Sequence, residues 1–214
     1  MPVRRRVAGP GLALAVAVLV TVLLGVAIPV VPVVGEVDRR LVDAANGGLG
    51  GMAAALATGI DAVFGPLPAA ALTALIALVT ALLRRSALQG VRAGALVMIP
   101  WGLAEALKLV VRRPRPEAES LRQQLVPPPE SFSYPSGHTA VAAAFCLAIL
   151  LSLPAGPGRR FGAVLTVLIV AITAWSRVAL GLHHPSDVLA SALLVPVTGV
   201  LLARMIDAWP AEAH

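Results

Sequence analysis

Eight residues between positions 108 and 187 have the types and spacing to do chemistry: Lys108, Arg115, Ser136, Gly137, His138, Arg177, His183 and Asp187. The three fixed cations, Lys108, Arg115 and Arg177, suit a dianionic oxyanion, above all a phosphate. Arginine adds bidentate geometry and lysine a point charge. His183 and Asp187 stand four apart with Pro185 between them, a pattern that starts a helix and lets the carboxylate reach back to the imidazole. A carboxylate on one ring nitrogen fixes the tautomer and leaves a lone pair on the other, which makes either a nucleophile or a base. His138 is then free to donate a proton to a leaving group. Ser136 and Gly137 would offer free backbone N–H groups at a helix start, with a glycine that lets an anion come close. The same pair is also an ordinary N-cap, and taken in isolation that reading prevails. Two histidines among three cations read as phosphoryl transfer through a phosphohistidine, with positioning and electrostatics supplying most of the rate. The cations fill the role of a metal, so no metal or other cofactor is expected, and the arginines would repel zinc.

These residues need elements to hold them, and composition limits the choice. The chain has 214 residues, 58% hydrophobic and only 13% charged, against about a quarter charged in ordinary soluble domains. Apolar runs of spanning length recur from end to end, which predicts one integral α-helical membrane domain over residues 1–214. The first run, residues 11–34, follows MPVRRR and is longer than a signal-peptide core, so an uncleaved anchor is expected. Residues 52–64 read as a short interfacial or half-buried helix. Further spans are expected at about 66–83, 87–111 with Pro100 kinking it, from near 136 to before 156, 161–180 and 185–206. Cys146 lies within an apolar run, which leaves no disulfide or cysteine-based metal site.

Six spans place both termini on one side. With that side cytoplasmic, Arg4, Arg5, Arg6, Arg84, Arg85, Arg92, Arg159, Arg160 and Arg204 face inward against only Asp207 and Glu212. The net charge of +6 is thus a topology signal plus a cluster at a site, and not a nucleic-acid surface. Spans three to six alternate in direction, so the end of the third, the start of the fourth, the end of the fifth and the start of the sixth share the outer face. All eight residues fall at those four ends. The fold expected is an all-α, six-transmembrane-helix bundle with catalytic residues at the outer ends of helices three to six.

The stretches KLVVRRPRP, YPSGH and SRVALGLHHPSD together resemble the three signature motifs of the type 2 phosphatidic acid phosphatases. Lys108, Arg115 and Pro116 meet the first, Pro135 to His138 the second, and Ser176, Arg177, His183 and Asp187 the third. As a set, in order and at the right spacing over roughly residues 100–190, the match is highly specific. The resemblance implies a membrane enzyme that removes phosphate from a lipid phosphate or diphosphate without magnesium. It implies that His183 is the nucleophile, Asp187 orients it, and His138 protonates the leaving group. Lys108, Arg115, Ser136, Gly137 and Arg177 would bind the phosphate. His184 stands where relatives more often carry an aromatic residue.

Other polar residues have plainer readings. Arg112 and Arg113 read equally as phosphate ligands or as solvated, headgroup-facing residues, and Arg113, within the RPRP segment, is the better candidate ligand. Glu105, one turn from Lys108, is expected to aim that lysine by an ion pair. Tyr134 and Trp175 read as interfacial anchors, Asp61 as a turn cap, and His214 as a tail residue. Candidate substrates are undecaprenyl diphosphate, phosphatidic acid and phosphatidylglycerophosphate. A transporter or binding protein for anionic lipids, and a headgroup transferase, are the rival functions. Oligomeric state is not encoded in any motif.

Overall fold

A computed structural model of the chain describes residues 3–208, with side chains from Gly9 onward. Expectations for Arg4, Arg5, Arg6, Glu212 and His214 therefore lie outside the described side chains. The described residues form eight α-helices: α1 (Val3–Ala27), α2 (Pro32–Gly47), α3 (Gly51–Val63), α4 (Pro66–Arg84), α5 (Ala87–Val111), α6 (Gly137–Ser152), α7 (Pro157–Ala179) and α8 (Pro185–Ala208). Short 3-10 turns lie at Ile28–Val30 and Ala118–Ser120. Five segments are long and apolar enough to cross a membrane: Gly9–Val30, Pro66–Arg84, Ala87–Val111, Pro157–Ala179 and Pro185–Ala208. This is the pattern of a multi-pass membrane protein.

The 16-residue α6 is shorter than these and occupies the centre. Its run of small residues, Ala140 to Ala144, is buried on every side, and α4, α5, α7 and α8 all pack against it. Small side chains suit a central helix in a bilayer, because close van der Waals contact is what holds such helices together. Cys146 belongs to this interior. At one end of the bundle Arg84 of α4 donates to Ser152 O of α6 (2.6 Å), and Arg92 of α5 pairs with Asp207 of α8 (2.8 Å). The helices therefore alternate as parity requires, and the opposite end gathers the eight candidate residues.

The first apolar run ends earlier than its hydropathy implies. Pro29 and Pro32 break it, and Pro32 begins α2 at the position where a missing N–H costs nothing. The polar stretch after it is helical. Val33, Val37 and Leu41 are exposed on α2, Glu36 pairs with Arg39 and Arg40, and Asp38, Val42 and Asn46 turn inward at a four-residue spacing. Asn46 then fixes the loop that follows α5: its Nδ2 donates to Gln123 O (2.8 Å) and Ala179 O (2.9 Å), and its Oδ1 accepts from Gln123 N (3.0 Å). The α5 helix runs unbroken across Pro100, which is buried. Tyr134 is not an interfacial anchor. It is fully buried, donates to Thr21 O of α1 (2.9 Å), and lies where any side chain at Gly25 would come within 2.5 Å of its ring.

Candidate active site

A cavity of about 310 Å³ opens at the end of the bundle where α5 and α7 finish and α6 and α8 begin. Lys108, Arg115, Gly137, His138, Arg177 and His183 line it, so six of the eight residues singled out by type and spacing meet there. The other two lie just behind the wall. Asp187 is fully buried, with Oδ2 3.6 Å from His183 Nδ1. Ser136 is also fully buried, and its hydroxyl accepts from Thr139 N (3.4 Å) and Thr139 Oγ1 (3.1 Å). That hydroxyl is committed to capping α6, so what α6 presents to the cavity is the backbone of Gly137 and the ring of His138. Gly137 has no room for a side chain, since a Cβ would overlap Glu105 Oε1 and come 3.1 Å from Lys108 Nζ.

His183 sits in the short loop between α7 and α8. Its Nδ1 faces Asp187, and its Nε2 lies 3.2 Å from Arg115 Nη1, which can only donate. The ring therefore carries a lone pair toward the cavity. Burial pushes its pKa from the ordinary 6.5 down to about 3, overcoming the opposing pull of Asp187. Arg115 is itself fastened by Ser131 O (2.8 Å), Phe132 O (3.2 Å) and Leu182 O (2.5 Å), which ties the loop before α6 to the loop before α8. The two histidine-bearing segments are also joined directly, by Ser136 N donating to Asp187 O (3.2 Å) and Ser191 Oγ donating to Ser136 O (2.8 Å). Lys108 Nζ pairs with Glu105 at 3.0 Å, the ion pair expected from their spacing.

Two features of the site were not read from the sequence. Arg113 does not face the cavity. Its guanidinium is buried between Asp187 Oδ1 (2.6 Å) and Asp38 Oδ2 (2.7 Å), and Ser133 and His184 N also donate to Asp187 Oδ2. Asp38 in turn accepts from Ser186 N (3.0 Å). The carboxylate beside His183 is thus held by three donors, one of which, Arg113, also reaches Asp38 of α2. Arg112 is exposed and donates to Leu109 O (2.9 Å) at the end of α5. The second feature is Asp61 on α3, whose Oδ1 is 2.5 Å from Arg177 Nη1 and 3.4 Å from His138 Nε2. Both neighbours hold its carboxyl down at about 2, the His138 ring contributing most. A lone acid inside an apolar Gly/Ala-rich stretch was the available signal, because intramembrane acids need partners.

A model of the PAP2 superfamily matches residues 74–210. A decaprenylphosphoryl-5-phosphoribose phosphatase of Mycobacterium tuberculosis is 33% identical over 110 residues, covering 51% of this chain and 57% of that protein. An undecaprenyl-diphosphatase of Bacillus subtilis is 34% identical over 101 residues, 47% of this chain and 49% of the relative. The chain therefore spans about half the length of these curated relatives. Across 92% of this chain and 98% of the other, the fold matches the crystal structure of a transmembrane PAP2-type phosphatidylglycerolphosphate phosphatase from Bacillus subtilis, with a TM-score of 0.77 and 22% identity.

Proposed function

The chain belongs to the PAP2 superfamily, and on that premise we propose that it is a membrane phosphatase that hydrolyses a lipid phosphomonoester or diphosphate. Undecaprenyl diphosphate, phosphatidic acid and phosphatidylglycerophosphate are the candidate substrates. The observation that carries the reading is the His183 ring, with Nε2 beside Arg115 in a cavity walled by three cations and by His138. Lys108, Arg115, Arg177 and the N-terminal N–H groups of α6 bind the phosphoryl oxygens, with Ser136 serving through the cap. His183 Nε2 attacks phosphorus while Asp187 orients the ring. As the P–O bond to the lipid breaks, its electron pair stays on the leaving oxygen and His138 gives that oxygen a proton. Water then attacks the phosphohistidine, returns a proton to His138, and frees His183 and inorganic phosphate. The residues supply these steps without a metal.

In this reading residues 1–214 form one unit, α6 is the fourth of six spans and joins the five longer segments, and the termini are cytoplasmic. The arginines at the Arg84–Arg92 end support that orientation, which puts the cavity at the outer face. The test is phosphate release in detergent from a panel of lipid phosphates, with EDTA present. Wild type should release phosphate, and His183→Ala should be slower by roughly 10³-fold or more. Headgroup binding without release would make the chain a lipid-binding protein or transporter. A new lipid product with an added acceptor would make it a transferase.

A further inference from the structure

Asp61 comes from α3, an element to which none of the three motifs belongs, yet one of its oxygens touches two members of the site. We propose that Asp61 is the positioning residue of His138, so that the site works through two histidine–aspartate pairs: Asp187 for the ring that attacks phosphorus and Asp61 for the ring that protonates the leaving oxygen. This rests on the phosphatase reading.

Three observations support it. First, His138 Nε2 is buried and makes no hydrogen bond among the described residues, and Asp61 Oδ1 stands 3.4 Å away. A small rotation of the ring or carboxylate closes that gap into an N–H···O⁻ bond, leaving Nδ1 for the substrate. Second, the acid must carry a proton when the P–O bond breaks. The charged and titratable groups around it are Lys108 and Glu105 from α5, Arg177 from α7, Arg115 and His183 from the loops, and Asp61 from α3. Glu105 is paired with Lys108, so Asp61 is the carboxylate placed to offset the cations at the His138 ring. Third, Asp61 is held in place. Its helix packs on α7 through Ala57 against Ala179 and Leu180, and its own Oδ1 accepts from Arg177 at 2.5 Å. The proton on Nδ1 passes to the leaving oxygen as that oxygen takes the bonding pair. The proton on Nε2 stays between His138 and Asp61, and the attacking water later restores the one on Nδ1.

An ion pair that only steadied Arg177 would have different consequences, and leaving groups separate the two. In Asp61→Asn, kcat on an alkyl lipid phosphate, whose leaving alkoxide needs protonation, should fall roughly 100-fold. On 4-nitrophenyl phosphate, whose leaving group needs no proton, it should fall less than about 10-fold. KM should stay level or drop, because Arg177 is freed for phosphate. Asp61→Glu, which keeps the charge, should recover much of the loss on the alkyl phosphate. Equal losses on both substrates, or a raised KM with kcat unchanged, would overturn the proposal. A titration independent of turnover completes the test. In detergent, with histidine ring signals followed by NMR, Asp61→Asn should lower the His138 midpoint by about one unit or more. An unmoved midpoint overturns the pairing whether or not any lipid is hydrolysed. Absence of hydrolysis by wild type with the midpoint shifted counts against the phosphatase reading alone.

Discussion

Gly137 shows how narrowly the cavity is cut. Its backbone is where an anion would meet the start of α6, and the space a side chain would need already belongs to Glu105 and Lys108. Gly137→Ala should force that ion pair off its position and lower kcat/KM by roughly 100-fold, as misplacements of about 1 Å do, while thermal unfolding stays near wild type. His183 makes a second prediction through its burial. The folded protein refuses a proton that the unfolded chain accepts between pH 6.5 and about 3, so this contribution to stability is full above 6.5 and falls as pH drops below it. For one proton the slope approaches about 1.4 kcal/mol per pH unit. Melting of wild type from pH 7 to 4 should steepen downward relative to His183→Asn. Asp61 adds the same sign lower down, lost as pH falls from 3.8 toward about 2. The cavity-lining residues were legible because each motif carries a type, a spacing and a place at a helix end. Asp61, 116 residues from Arg177, had a type but no spacing to read.

At the scale of elements, what the sequence hid is how helices outside the motifs hold the site. Arg113 looked like one more phosphate ligand from its position in RPRP, but burial between Asp38 and Asp187 gives it two carboxylates to satisfy instead. Removing it would leave both acids buried without their cation. Arg113→Ala should therefore cost about 3–5 kcal/mol in detergent unfolding and reduce activity through a loosened Asp187. Its partner arises on α2, a polar stretch whose helical pattern shows in the pairs on one face and the inward four-residue spacing on the other. Tyr134 was misread for a similar reason. A tyrosine beside an apolar run signals a membrane interface, and only α1, over 100 residues earlier, turns it into an interior residue. Gly25→Val should displace that ring, loosen the loop entering α6 and lower kcat more than it changes KM.

For the whole molecule, alternation of spans was the most informative inference from sequence alone, since it brought four helix ends together before any contact was known. Together with the arginines at the opposite end, that alternation predicts which side the cavity faces. A cysteine introduced at Glu119 in a Cys146→Ser background should react with an impermeant thiol reagent in intact cells. Reaction only after lysis would reverse the orientation. The Tyr134 clamp, Asp38 and Asp61 have one more thing in common: all are supplied from residues before 74, ahead of the matched stretch 74–210. A polypeptide cut there would keep every signature residue. Yet Arg177 would lose its carboxylate, Arg113 one of two, and Tyr134 its acceptor. The stretch that matches the family is shorter than the stretch that supplies partners to these buried groups.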